Sequence, residues 1–276
     1  MIERWSVHPS IPIGLGILLL LYWLGVDPLR RRYRLGPPVD RLQAGTFGFG
    51  IATFFLALTG PIHDLSDSYL FLVHMLQHLA ITLIAPPLIL LGTPEWLLRP
   101  LIRPAGVYRV VRFLTRAPVA YVIFNGTLAV WHVPRFYGET LIDLPTHIFE
   151  HFLFIATAFL VWWPVLSPIR EMRLRPPLQV FYLILLTLPM KGLGAALTMQ
   201  GDVLYPAYAL APRVYGISPM DDQRIGGLLM WLPSGSVLWG AAAIVFYRWW
   251  RSEQVAEDAE AGAREAKAKS SAGGLA

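Results

Sequence analysis

The sequence predicts an all-α polytopic membrane protein with seven transmembrane helices, its N-terminus outside and its C-terminus inside. First, 55% of the residues are hydrophobic and only 15% are charged, whereas about a quarter of the residues in a soluble domain are charged. Second, the apolar residues form long runs rather than amphipathic stripes. Third, the basic residues concentrate in alternate connections between these runs. The lipid bilayer is therefore the expected apolar partner of the chain.

Seven apolar segments approach the length of roughly 20 helical residues that a bilayer requires. They are residues 10–27, 42–60, 68–92, 117–133, 145–165, 178–200 and 224–248. Segment 94–116 carries five arginines and is typical of an interfacial loop or amphipathic helix. We therefore expect a transmembrane domain over 1–252 and a polar cytoplasmic tail over 253–276. Composition favours helix in the first half of the tail and disorder at its end.

The basic residues set the predicted orientation. Connections 28–41, 94–116 and 166–177 hold five, five and three Lys or Arg residues, and the C-terminal end from Arg248 holds five more. The opposite side holds only four in all, namely Arg4, Arg135, Arg213 and Arg224. By the positive-inside rule, the richer side faces the cytoplasm of a cell membrane. Topology thus accounts for the net charge of +5, and no nucleic-acid partner is expected.

Histidines are the most informative polar residues in the apolar segments. On the predicted topology all seven lie on the outer side: His8, His63, His74, His78, His132, His147 and His151. His74 and His78 are spaced i, i+4, as are His147 and His151, so each pair shares one helix face within reach of one metal ion. Facing lipid would be costly for such a pair, so both pairs should face the bundle interior. Glu150 would join them as a ligand, as an acceptor for a ligand, or in an ion pair.

The remaining polar residues allow several interpretations. His132 closes the fourth predicted span and could complete a site, whereas His8 and His63 are typical of hydrated loop residues. Lys191 lies at a depth similar to that of Glu150, so we hypothesise an ion pair between them. Pro86 and Pro87 interrupt the third span and either open space beneath the histidines or only shape the packing.

The donor atoms limit the kind of metal. Cysteine is absent, which excludes thiolate and iron–sulfur sites. Imidazole suits copper, zinc and iron, and thioethers would favour Cu(I); the methionines near the histidines are Met75, Met190 and Met199. Two facing histidines could also ligate heme b. His147 to His151 spells H-x-x-E-H, a zinc-protease pattern, but no further ligand for a hydrolase is evident.

A permease is a further alternative for a membrane protein with aligned histidines. A path for ions or protons should leave ionisable residues in the inner halves of the spans as well. The inner halves are nearly free of such residues, which counts against a permease.

Several motifs together resemble the multi-span cytochrome c oxidase assembly factor family, CtaG. The motifs occur in this order over roughly residues 40–245: His74-Met-Leu-Gln77-His78, Ala85-Pro86-Pro87-Leu88, Leu91-Gly92-Thr93-Pro94, Trp131-His132-Val133-Pro134 with Tyr137, and His147-x-x-Glu150-His151 running to Trp162-Trp163-Pro164.

The resemblance implies a role in assembling a heme–copper terminal oxidase in the bacterial cytoplasmic membrane. It implies copper as the metal, an oxidase subunit as the partner and a copper donor on the outer side. The family's histidine positions match His74, His78, His132, His147 and His151. We therefore expect a non-catalytic assembly factor that handles copper, and the alternative is an electron-transfer protein with bis-histidine heme b.

Overall fold

The computed structural model describes residues 9–273, with side chains as far as residue 264, so His8 and Arg4 lie outside the described residues. Every regular element in this range is helical. The helices α1 to α14 are, in order, Ser10–Leu24, Arg30–Tyr33, Arg41–Leu58, Gly60–Ser68, Phe71–Leu79, Ala85–Gly92, Glu95–Ile102, Ala105–Leu114, Ala117–Trp131, Pro134–Thr140, Leu144–Leu166, Pro176–Met199, Pro206–Leu210 and Pro219–Gly273.

Six helical stretches among the described residues are long and apolar enough to cross a membrane. They are Ser10–Tyr33, Arg41–Leu58, Phe71–Gly92, Leu144–Leu166, Pro176–Met199 and the part of α14 from Pro219 to Arg264. The first runs from α1 to α2 through the π turn Gly25–Leu29, and the third runs from α5 to α6 through the π turn Ala80–Ile84. The all-helical membrane class predicted from composition is therefore confirmed.

The fourth predicted span, residues 117–133, does not by itself reach a spanning length. It corresponds to α9, whose 15 residues extend only about 22 Å at 1.5 Å per residue. Helix α9 reaches a spanning length only together with α8, and the two are bent by 66°. The structure therefore has six candidate spans, or seven if this bent pair is one span. Helices α7 and α8 supply the helical connection predicted for 94–116.

The proline break in the third span is compensated by another helix. Proline has no N–H, so Pro86 cannot bond the carbonyl of Thr82, four residues earlier. The indole Nε1 of Trp162 donates to that carbonyl at 3.0 Å. Trp162 is buried, so it is a packing residue of the bundle rather than the interfacial tryptophan that its position suggests. This hydrogen bond ties α11 to the π turn that follows the histidine-bearing helix α5.

Helix α14 is the longest element and packs along both α12 and α5. Close approach to α12 depends on glycine, since a Cβ added to Gly194 would lie 2.7 Å from the carbonyl oxygen of Gly227. Helix α14 continues without a break to Gly273. The helix predicted for the first half of the tail is therefore present, and it extends into residues for which composition favoured disorder.

Candidate metal centre

The two histidine pairs face each other across the bundle. The rings of His74 and His78 on α5 are 4.2 Å apart between centroids, and those of His147 and His151 on α11 are 4.3 Å apart. Between the helices, the ring of His151 lies 5.4 Å from that of His78 and 6.2 Å from that of His74. All four side chains are buried. The structure thus brings together the four residues that helical register predicted to share a site.

Three groups of side chains in the described residues offer ligand atoms within 4.8 Å of one another. The groups are His63/Asp67/His147, His147/Glu150/His151, and His74/His78/Glu150. We call them the outer, middle and inner groups. His147 belongs to both the outer and the middle group, and Glu150 belongs to both the middle and the inner group. The three groups therefore form one connected row of ligands.

Two members of this row were not predicted from the sequence. His63 is only 4% exposed, so the interpretation of His63 as a hydrated loop residue was wrong. Gly60 has a φ of 66°, a left-handed conformation that suits glycine, and the chain turns there from α3 into α4. Along α4, His63 and Asp67 are again spaced i, i+4. Applying the same spacing rule to carboxylates would have identified the pair.

Asp67 connects His63 to the neighbouring helix. Its Oδ2 lies 3.4 Å from Nε2 of His63 and 3.5 Å from Nε2 of His147. The amide of Gln77 fixes the other side of the His63 ring, with Nε2 donating to the Ala57 carbonyl at 2.8 Å and lying 3.2 Å from Nδ1 of His63. Because Asp67 is 28% exposed at its side chain, the outer group is the most accessible part of the row.

Several imidazole nitrogens have spare capacity for a ligand. In the part of the chain that the structure describes, neither ring nitrogen of His78 has a hydrogen-bond partner, nor does Nε2 of His151. Buried polar atoms are nearly always satisfied in folded proteins, so unsatisfied buried nitrogens point to a group that they bind. A metal ion coordinated by imidazole is one such group.

His132 stands beside the row rather than within it. The ring of Phe154 contacts both His78 and His132, at centroid distances of 4.5 Å and 6.5 Å. Nδ1 of His132 lies 2.7 Å from the carbonyl oxygen of Leu128. A carbonyl only accepts hydrogen bonds, so Nδ1 carries the proton and Nε2 presents its lone pair.

The structure does not bring Lys191 to Glu150. Lys191 Nζ lies 5.6 Å from the ring centroid of Trp239, and its side chain passes close to Gly235 on α14. None of the ion pairs in the described residues joins Lys191 to Glu150. The ion pair proposed from depth was therefore wrong, because similar depth does not fix the direction in which a side chain leaves its helix.

A group of aromatic residues covers the inner group. The ring of Tyr137 on α10 lies 5.2 Å from that of His74, and its hydroxyl is 3.0 Å from the hydroxyl of Tyr208 on α13. Tyr208 in turn donates to the Ser66 carbonyl at 2.6 Å. Burial raises the pKa of Tyr137 and of Tyr208 well above the ordinary value, so both phenols stay neutral.

The row of ligands is open toward one side. A cavity of about 490 Å³ lies between α1 and α11, and His63, His147 and His151 line part of it. The rest of its wall is mainly apolar and includes Leu15 and Phe152. The outer and middle groups can therefore be approached from the space between two membrane-spanning helices.

Sequence comparisons identify relatives of this chain. It is 27% identical over 246 residues to an uncharacterised protein of Mycobacterium bovis and, to the same extent, to one of Mycobacterium tuberculosis. Each match covers 82% of this chain and 36% of the relative, so the chain spans about a third of the length of the curated relatives that it matches. No solved structure matches it.

The family comparison covers most of the chain. Residues 20–252 match the family described as cytochrome c oxidase caa3 assembly factor (Caa3_CtaG). The matched region includes all six histidines in the described residues and every helix that carries them. The chain therefore belongs to the cytochrome c oxidase caa3 assembly factor family.

Proposed function

We propose that this protein is a non-catalytic assembly factor that carries copper to a heme–copper oxidase in the cell membrane. The observation that supports this most directly is the row of three ligand groups, in which neighbouring groups share His147 and Glu150. Imidazole and carboxylate donors together form a site that suits copper, among other metals. Copper is cargo in this proposal, so the site must release it as well as bind it.

Sharing of ligands favours release. An ion in the outer group can keep His147 while it exchanges the other ligands of that group for those of the middle group. The next exchange can keep Glu150 in the same way. At each step the ion gains new donors before it loses all of the old ones, so it is never left without ligands. A resident cofactor, in contrast, would be expected in one closed set of ligands.

The outer part of the row can be reached in two ways. Asp67 is partly exposed, and by the positive-inside rule we expect this end of the bundle to lie outside the cytoplasm. A copper donor on the outer side would meet the row at Asp67. The largely apolar cavity between α1 and α11 reaches His147 and His151, and it suits a transmembrane helix of the oxidase subunit as the lateral partner.

Copper loading of the purified chain tests the proposal. We expect anaerobic Cu(I) loading to give stoichiometric copper, and a His78→Ala/His147→Ala variant to lose most of it. The matched control is Leu76→Ala/Phe149→Ala, which truncates side chains on the same two helices that are 48% and 54% exposed. This control should bind as much copper as the natural chain.

Two outcomes would contradict the proposal. If the natural chain bound no more copper than background, it could not be a copper carrier. A reduced heme α-band in the absorption spectrum of the purified protein would favour the bis-histidine heme b alternative.

In cells, oxidase assembled with the His78→Ala/His147→Ala variant should lack copper, while oxidase assembled with the control variant should contain it.

A further inference from the structure

A second, smaller cavity adjoins the ligand row at His78. Its volume is about 20 Å³, which is about the space that one water-sized occupant requires. Besides His78, the potential ligands on its wall are Met75, Met190, Met230 and His132. The other lining residues are almost all apolar. The cavity therefore combines three thioethers with two imidazoles in an otherwise apolar site.

Four helices bring these donors together. Met75 and His78 come from α5, His132 from the end of α9, Met190 from α12 and Met230 from α14. Glycine allows α14 to approach its neighbours, since a Cβ on Gly226 would lie 3.3 Å from Cγ of Met75, and one on Gly194 would lie 3.2 Å from Cβ of Met230. The three methionines are only 1–3% exposed.

The imidazoles in this cavity are oriented for binding. The Leu128 carbonyl fixes the proton of His132 on Nδ1, and Nε2 is buried without a hydrogen-bond partner in the described residues. His78 likewise presents unsatisfied ring nitrogens, as described above. Thr82, in the π turn that follows α5, lies on the same cavity wall.

We infer that this cavity is a thioether-rich site for Cu(I), which receives the ion from the inner group through His78. The inference rests on the proposed copper function and adds the oxidation state of the ion and a buried binding site beyond the inner group. His78 belongs to the inner group and also lines the cavity, so it can hold the ion during the exchange. The ion remains Cu(I) throughout, and no electron is transferred.

The change from carboxylate and imidazole donors to thioether donors favours movement of Cu(I) from the inner group into the cavity. The outer and inner groups each combine a carboxylate with imidazoles, a donor set that also accepts Zn²⁺. Thioether sulfur is a soft donor that prefers Cu(I). An ion of the wrong kind can therefore occupy the carboxylate-containing groups but is poorly held in the cavity, which makes the methionines the residues that select for Cu(I).

Silver(I) is a suitable probe, because it is a soft monovalent ion and is not oxidised in air. We expect the full-length chain in detergent to bind Ag(I) at the cavity as well as at the histidine groups. Met190→Leu/Met230→Leu replaces two of the three thioethers with side chains of similar volume. It should lose one equivalent of Ag(I) and should keep its Zn²⁺ binding.

Met199→Leu is the matched control, since Met199 lies on α12 with Met190 but is 78% exposed. This variant should bind as much Ag(I) as the natural chain. X-ray absorption of Cu(I)-loaded protein should show two or three sulfur ligands in the natural chain and in Met199→Leu, and at most the single sulfur of Met75 in Met190→Leu/Met230→Leu.

The inference about the cavity can be disproved without disproving the proposed function. Unchanged Ag(I) stoichiometry in Met190→Leu/Met230→Leu, together with absence of sulfur ligands in the natural chain, would mean that the cavity holds only water and that the methionines only pack. The row of histidine groups would then remain. Absence of Ag(I) and Cu(I) binding in the natural chain would instead overturn the proposed function and this inference together.

Discussion

The carboxylate of Asp222 on α14 caps the helix that begins at Phe71. Its Oδ2 accepts from the backbone N–H of Phe71 at 2.9 Å, and its Oδ1 accepts from that of Leu72 at 2.8 Å. The N–H groups at the start of a helix have no partner within the helix, so Asp222 satisfies two of them from 150 residues away. The helix that carries His74 and His78 is thereby fixed to α14.

Loss of this cap should destabilise the protein. We expect Asp222→Ala to lower the free energy of unfolding by about 1–2 kcal/mol, as for other helix N-caps, and to weaken metal binding at His74 and His78. Thermal unfolding in detergent measures the stability. Asp221→Ala is the control, because Asp221 is exposed and accepts only from Ser218 of its own helix end. Equal stability of the two variants would show that the cap is unimportant.

Substitution of Gly194 should separate α12 from α14. A methyl group there would meet the Gly227 backbone at 2.7 Å, and backbone cannot move aside as a side chain can. We expect Gly194→Ala to cost about 1–3 kcal/mol, which is typical of overpacking. In Gly192→Ala, on the same helix, the new Cβ meets nothing within 4 Å, so this variant should be at least as stable as the natural chain. The prediction is wrong if the two variants unfold alike.

The buried phenols predict an alkaline limit to stability. The folded-state pKa of Tyr208 is raised above its unfolded value, mainly by burial. Above a pH of about 10, the unfolded chain loses this proton while the folded chain keeps it. The contribution of Tyr208 to the free energy of unfolding should therefore be constant up to that pH and fall beyond it.

The variant Tyr208→Phe tests this explanation. It should be less stable by about 1 kcal/mol at neutral pH, because the Ser66 carbonyl loses its donor. Its stability should fall less steeply in alkali. Tyr215→Phe changes a tyrosine that is 77% exposed and should follow the natural chain. A pH profile for Tyr208→Phe parallel to that of the natural chain would argue against the phenol as the source.

Lys191 should be dispensable for metal binding. Its ammonium lies over Trp239 and not beside Glu150, so we expect Lys191→Leu to retain copper. Glu150→Gln should reduce copper affinity at least about tenfold, since it removes a shared carboxylate while keeping the size of the side chain. Competition with a Cu(I) chelator measures both. If the two variants lost copper affinity equally, the result would support the Lys191–Glu150 ion pair and contradict this prediction.

The extents of the spans were predictable because bilayer thickness fixes the length of an apolar helix. Residues 145–165 and 178–200 were predicted as spans, and the helices observed are Leu144–Leu166 and Pro176–Met199. Residues 117–133 were harder to interpret because the apolar run covers only a short helix, bent away from its neighbour. Composition indicates that a segment is apolar enough to cross, but not where the backbone bends.

Within the site, the sequence predicted which residues share one face of a helix, but not which neighbouring helix that face meets. The i, i+4 spacing correctly grouped His74 with His78 and His147 with His151, because that spacing selects one face of a helix. Which faces meet depends on helix packing, and sequence does not give this. His63 was therefore missed, because its burial depends on the turn at Gly60. The role of these residues in binding metal remains a prediction.

The donors of the ligand row and of the small cavity come from six different helices, from α4 to α14. The first five lie between His63 and His78, whereas the last, Met230, is synthesised more than 150 residues after His78. A chain that ends before α12 thus lacks two of the three thioethers of the small cavity. If the cavity binds Cu(I) as proposed, full affinity for the ion requires that α12 and α14 have been inserted and packed, so metal loading would be coupled to completed folding.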